Sequence, residues 1–222
     1  MQSMTDKKND FETACAAAVK EQGEGRVYLE FLKKVADLAR KYGKRPMFWG
    51  DVILKHPERV ASLPKDAIAL DWGYEGNHPF RDEARKFRDA GLDFYVCPGT
   101  SSWNSLAGRV ENMRENLENA EAAGRANGAK GFLLCDWGDG GHWQPLAASL
   151  PAIVLGGALA SVGPRAAKMD LEGALNDAMG VPLGGILLKL GTLYLRGGAL
   201  RANASELHRI LANDRGYSRH PG

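Results

Sequence analysis

Cysteine is scarce in this chain. Cys15, Cys97 and Cys135 are the only three among 222 residues, and none belongs to a C-x-x-C pair or to a histidine cluster with metal-ligand spacing. A disulfide framework and a structural zinc site are therefore not expected, and the three thiols read as core fillers. An excess of either charge is also missing. Lys and Arg number 29 against 27 Asp and Glu, scattered along the chain for a net charge of +2, so nothing supplies the electrostatic footprint of a nucleic-acid binder. The longest apolar stretches, 150–162 and 181–195, are interrupted by Gly and Pro and fall short of a membrane span. Residues 1–9 are polar and lysine-bearing with no apolar segment behind them, unlike a secretory signal, so the default expectation is a cytoplasmic protein away from membranes. The glycine-rich run at 138–141 lacks the Lys-Ser/Thr ending of a phosphate-binding loop, and no cofactor is expected.

What is present suits a globular fold, with 44% hydrophobic and 25% charged residues. Tyr28, Phe31, Leu32, Val35, Leu38, Ala39 and Tyr42 recur at helical spacing and Gly43 follows, which predicts an amphipathic helix over 27–42. A short apolar run at 45–49 then reads as a buried strand. The pattern repeats: strands at 67–72, 93–97 and 131–135, with helices at 80–90, 106–126 and 151–161, and a short helical connection at 57–63. Strand, loop and helix four times over is the pattern of parallel βα units. After Pro164 strand candidates vanish, and 171–179, 183–195 and 204–212 read as helices. A boundary near Ser161 divides an α/β region, 1–161, from a helical tail, 162–222.

Three of the four strands end in nearly the same tetrapeptide: FWGD at 48–51, DWGY at 71–74 and DWGD at 136–139. In parallel βα folds, ligands bind at the carboxyl ends of the strands. Trp49, Trp72, Trp137 and Trp143 all fall at those ends, and Trp103 follows the remaining strand. An indole at a rim position gains most when both its face and its N–H find partners, and a sugar ring offers both. Asp51, Asp71, Asp136 and Asp139 supply carboxylates for sugar hydroxyls. Two blander roles compete: aromatic residues can plug a barrel mouth, and an aspartate after a strand can cap the next helix. His142, beside two glycines, reads as a loop residue.

The blocks RVYLEFL at 26–32, RPMFWGD at 45–51, AIALDWGY at 67–74, FYVCPGTSSW at 94–103 and LCDWGD at 134–139, in this order and spacing, resemble the later strands of family 20 glycoside hydrolases, the β-N-acetylhexosaminidases and their relatives. The resemblance implies an α/β fold in which the chain forms part of a (β/α)8 TIM barrel, strands five to eight, followed by a small helical C-terminal region. A full barrel takes about 250 residues. It also implies hydrolysis of terminal N-acetylhexosamine residues with retention, the substrate's acetamido oxygen acting as nucleophile beside an adjacent Asp-Glu pair. In the family that pair ends strand four. The matching stretch here, 1–25, holds Asp6, Asp10, Glu12, Glu21 and Glu24 but no adjacent Asp-Glu, and the one such pair, Asp82-Glu83, falls in a predicted helix as an exposed, solvated pair. No catalytic residue and no metal ligand is therefore assigned. The substrate-binding residues implied are Trp49, Asp51, Trp72, Tyr95 and Trp137, with the Tyr95 hydroxyl aimed at the acetamido oxygen, Asp139 on sugar hydroxyls where relatives use Glu, and Trp103 and Trp143 in an outer subsite.

The expectation is thus a hydrolase fragment that supplies the sugar-binding wall without the acid, its partner an N-acetylhexosaminide carbohydrate. The alternative is a non-catalytic carbohydrate-binding half-barrel or remnant, self-associating through open barrel edges. A third reading keeps catalysis in the chain, with two of Asp51, Asp71, Asp136 and Asp139 as acid and nucleophile.

Overall fold

In the computed structural model, which describes residues 4–196 and 200–214, the chain is an α/β protein built on a four-stranded parallel sheet of order β1-β2-β3-β4. Its contacts divide it into two compact units, one made of the residues up to Asp71 with Asp82–Tyr95, the other of Trp72–Arg81 with the residues from Val96 onward.

In the first unit, α1 (Met4–Gln22) and α2 (Glu24–Lys41) precede β1 (Met47–Trp49), α3 (Asp51–Leu54), a 3-10 turn at Pro57–Ser62, β2 (Ile68–Trp72), α4 (Phe80–Asp89) and β3 (Asp93–Cys97). Strand β1 pairs with β2 in parallel, Phe48 opposite Ala69. The residues of β2 from Ile68 to Asp71 are all buried, as expected for a parallel strand covered on both faces. Phe87 of α4 stacks on Phe94 of β3 with ring centres 6.1 Å apart. Helix α2 forms where periodicity predicts it, yet it buries Gly25, Leu29, Leu32 and Ala36 and leaves Phe31, Val35, Leu38 and Tyr42 exposed, Tyr42 by 69%. The helix carries two apolar stripes, and helical spacing alone does not tell which one faces the core. Close approach selects the smaller stripe: a Cβ on Gly25 would sit 2.5 Å from the His56 ring.

In the second unit, α5 (Val110–Asn127), β4 (Gly131–Phe132), α6 (Leu150–Val162), α7 (Leu171–Met179), α8 (Gly184–Leu190) and α9 (Glu206–Asp214) follow in order. The strand expected over 131–135 is regular only at its start. Leu133 N–H still donates to Val96 and Cys135 N–H to Pro98, but Pro98 has no N–H to return and the ladder breaks there. Helix α5 begins four residues later than its apolar spacing suggests, because Arg109 is non-helical at the N-cap and Gly108 holds a positive φ of +88°.

One core joins α5, α6 and α7: Val110, Met113 and Leu117 meet Ala152, Leu155 and Leu159, and then Ala166, Leu171 and Leu175. These helices lie on both sides of Ser161. 3-10 turns at either end extend α6 into one helical run, Leu146–Lys168, the one run among the described residues that is long and apolar enough by itself to cross a membrane. The sequence reading made this stretch too short for a span, because it did not include the flanking turns. Ala152, Leu155 and Leu159 are its contribution to the core, which accounts for its apolar character in a folded domain. Leu155→Ala is expected to destabilise the chain by about 2–5 kcal/mol in urea denaturation, as deletion of a fully buried leucine does. A loss below about 1 kcal/mol would mean that this core does not hold the fold.

Candidate functional site

The site is best defined in the second unit, where the loops that follow β2, β3 and β4 converge. A polar stripe on α5 organises them. Asn112, Asn116 and Asn119 recur at helical spacing on one face. Asn116, fully buried, donates to the carbonyls of Gly73 and Glu75 at 3.0 and 2.9 Å, and its Oδ1 accepts from Gly99 N–H at 2.9 Å. Asn112 donates to Tyr74 O and Ser101 Oγ and accepts from Gly76 N–H, while Asn119 donates to the carbonyls of Gly76 and His78. One turn earlier, the buried Arg109 forms a bidentate pair with Glu75 at 2.9 and 3.0 Å. Five carbonyls and one N–H of the turn after β2 are therefore bound by one helix, which fixes that turn without secondary structure of its own.

The turn holds Tyr74 at the centre of an aromatic group. Tyr74 lies 5.1 Å from Trp72, tilted, and 5.0 Å from Trp103, edge to face. Trp137 Nε1 donates to its hydroxyl at 2.8 Å. Burial pushes the Tyr74 phenol well above its ordinary range, so it stays protonated, and burial likewise raises the neighbouring Cys135 thiol. Gly99 is required beneath this group, since a Cβ there would lie 2.4 Å from the Trp103 ring and 2.7 Å from that of Tyr74. Beside it, Asp136 Oδ1 accepts from Thr100 and Ser102 hydroxyls at 2.6 and 2.8 Å, and its Oδ2 from Ser149 at 2.8 Å. That carboxylate ties the β3 loop, the β4 loop and the start of the α6 run together.

Of the expected sugar-binding residues in this unit, Trp72 is half-buried and Trp137 is 41% exposed with its N–H engaged, while Asp139 is exposed and Trp143 half-buried. Trp103 corrects the sequence reading. It is 1% exposed and packed on Tyr74, so it is a core residue with no face for an outer subsite. Tyr74 and the asparagine stripe were missed. The stripe was visible as Asn at 112, 116 and 119 in a helix whose apolar face was already assigned. None of the three cysteines is in a disulfide, and Cys97 and Cys135 are buried.

In the first unit, Trp49 is exposed at the end of β1 and its carbonyl accepts from Tyr28 OH at 3.2 Å. Asp51 opens α3, half-buried, and together with burial it raises the Tyr28 phenol. Tyr95 is half-buried on β3. Residues 4–22 are helical, so no strand occupies the stretch where the family's Asp-Glu pair would fall. The pair at Asp82-Glu83 is split by helical geometry. Asp82 is exposed and pairs with Arg85, whereas Glu83, expected in solvent, turns inward on the side of Ala84 and Phe87 and meets Asp71. Asp71 is not a rim acid. It is fully buried, and no N–H donor reaches either oxygen. Burial, then the hydrogen bond and charge of Glu83, raise its carboxyl from the usual 3.8 to about 9. Two carboxyls in contact cannot both ionise, so they share a proton.

A scan of the chain against protein-family models finds no match, and a search of curated proteins finds no significant relative.

Two outcomes follow for stability. The folded chain keeps the Asp71 proton that the unfolded chain releases near 3.8, so this group's contribution is complete below that pH and is lost as pH rises toward about 9. Asp71→Asn, a neutral isostere, is expected to flatten the decline between pH 5 and 9 in thermal melts; an unchanged slope in the variant refutes the shared proton. Asn116→Ala removes three hydrogen bonds and strands the Gly73 carbonyl and the Gly99 N–H, while the Glu75 carbonyl keeps its bond from His78 N–H. A loss of about 2–4 kcal/mol in urea denaturation is expected, because unpaired buried groups cost more than the bonds gain. A change as small as that of an exposed-surface substitution would show that the turn is held otherwise.

Proposed function

We propose that this chain is the carbohydrate-binding half of a glycoside hydrolase barrel of the family 20 type, strands five to eight of a (β/α)8 fold. The parent activity is hydrolysis of terminal N-acetylhexosamine residues by substrate-assisted retaining catalysis, and this chain supplies the sugar-binding wall but not the Asp-Glu pair. One observation supports the reading: Trp72 and Tyr74 after β2 and Trp137 after β4 are grouped together, with an indole 41% exposed and a hydroxyl-bound carboxylate, Asp136, beside it in sequence. Exposed indole faces next to fixed polar groups are what a pyranose ring requires.

Catalysis by two carboxylates within the chain is disfavoured by geometry. Asp71 touches Glu83, whereas a retaining pair stands about 5 Å apart and an inverting pair further. Asp136 is bound by three hydroxyls that hold loops together. The second reading, a non-catalytic half-barrel that self-associates, is favoured by the surface of the first unit. Strand β1 is an end strand of the sheet with Met47 and Trp49 exposed, and α2 presents Phe31, Val35, Leu38 and Tyr42 to solvent. An end strand with exposed apolar side chains and an exposed apolar stripe are the features by which a second chain would be recruited.

The test is calorimetry of the full chain with N-acetylglucosamine, paired with a chromogenic N-acetylglucosaminide. The expected result is saturable binding, weakened at least about tenfold by Trp137→Ala, which corresponds to roughly 1.4 kcal/mol, with no turnover. Clear turnover abolished by the same substitution contradicts the assignment of catalysis elsewhere, and absence of binding contradicts the carbohydrate reading.

A further inference from the structure

The tail is docked on the loops that carry the proposed sugar wall. Ser205 N–H donates to Asn104 O at 2.8 Å, Asn104 Nδ2 donates to Asn203 O at 3.3 Å, and Asn203 N–H donates to Glu75 Oε1 at 2.8 Å. Arg109 adds a bond to Arg201 O at 3.2 Å. These contacts bring α9 against the β4 loop, where His208 lies edge to face with Trp143, ring centres 6.1 Å apart and planes at 86°. His208 is 7% exposed, and its Nε2 has no hydrogen-bond partner. A buried imidazole nitrogen left unbonded is expensive, and such groups in native proteins call for an explanation.

The loop over it packs closely on both Asn104 and His208. Gly140 lies between two side chains: a Cβ there would be 2.7 Å from Asn104 Oδ1 and 3.9 Å from His208 Cε1, the atom bonded to Nε2. Gly140, Gly141 and His142 all hold positive φ, and so do Asn104 and Asn203 on the facing segments. Left-handed backbone at non-glycine residues is uncommon, and it concentrates where binding elements are held in place. Residues 138–142 are all exposed, so the loop can shift without disturbing the core.

We propose that Trp143, Asn104 and the tail residue His208 form an outer sugar subsite, in which His208 Nε2 bonds a hydroxyl of the second ring of an N-acetylhexosaminide once the loop at 138–142 moves aside. This deepens the carbohydrate reading and rests on it. Trp143 contributes an apolar edge, the Asn104 amide a carbonyl acceptor, and the imidazole a nitrogen that either accepts or donates. Burial lowers the His208 pKa, which keeps the ring neutral and able to accept near neutral pH. The tail thereby serves in length selection: the inner wall takes one ring and the tail rewards a second.

The experiment compares N-acetylglucosamine with its β-1,4-linked disaccharide by calorimetry on the full chain, unaltered and as His208→Ala, His208→Gln and Trp143→Ala, each checked by thermal melting. The unaltered chain is expected to bind the disaccharide at least about tenfold more tightly than the monosaccharide. His208→Ala should abolish that difference while changing monosaccharide affinity less than twofold, and His208→Gln, whose amide reaches the same distance, should restore part of it. If His208→Ala does not fold, loss of the difference in Trp143→Ala together with its partial retention in His208→Gln supports the subsite. Equal affinities for both sugars in the unaltered chain, or a disaccharide preference that survives in every folded variant, overturns it while monosaccharide binding leaves the carbohydrate reading standing. Failure of the unaltered chain to bind either sugar overturns both.

Discussion

The amide of Asn116 is the contact on which the second unit depends. It reaches from α5 to the turn after β2 and to the backbone after β3, and satisfies three main-chain groups that no strand or helix could pair. Irregular backbone in a protein interior survives only where such partners exist. Because an asparagine offers two donors and an acceptor in one rigid plane, a single side chain fixes both segments at once. Asn112 and Asn119 extend the grip along the same helix face, and Arg109 completes it with a charge-assisted pair to Glu75.

The aromatic group proposed to bind sugar in the second unit is placed by that grip. Tyr74 stands in the held turn, and its ring and hydroxyl set the positions of Trp72, Trp103 and Trp137. Asp136 performs the same service for the loops after β3 and β4, accepting three hydroxyl bonds. The chemistry divides accordingly. Tyr74 and Trp103 are buried scaffold, whereas Trp72 and Trp137 keep faces in reach of solvent. In the first unit, the buried Asp71 lies against the half-buried Glu83, so an acid at the end of a strand need not be an acid in a site.

Much of the architecture was legible in the sequence. The runs at 47–49, 68–72 and 93–97 form strands close to where apolar content and flanking Gly and Pro put them, because buried parallel strands leave a dense apolar signature. The faces were less legible. Helix α2 carries two apolar stripes, and only the fit of Gly25 against His56 shows which is inside. Glu83 looked solvated because charge is a good predictor of exposure only until a second acid lies across from it. Trp103 lies outside the W-G repeats that hold Trp137, but its burial is visible only in its packing over Gly99. The docking of the tail on Asn104 and Glu75 depends on contacts about 100 residues apart in sequence, which no local pattern reports.

The measurement that addresses the account most directly is the nuclear magnetic resonance spectrum of the five indole N–H groups during titration with N-acetylglucosamine. The account predicts that Trp72 and Trp137 shift with a common saturation curve while the buried Trp103 moves little. Shifts confined to residues outside this group, or no shift at saturating sugar, would contradict a carbohydrate wall at the ends of these strands.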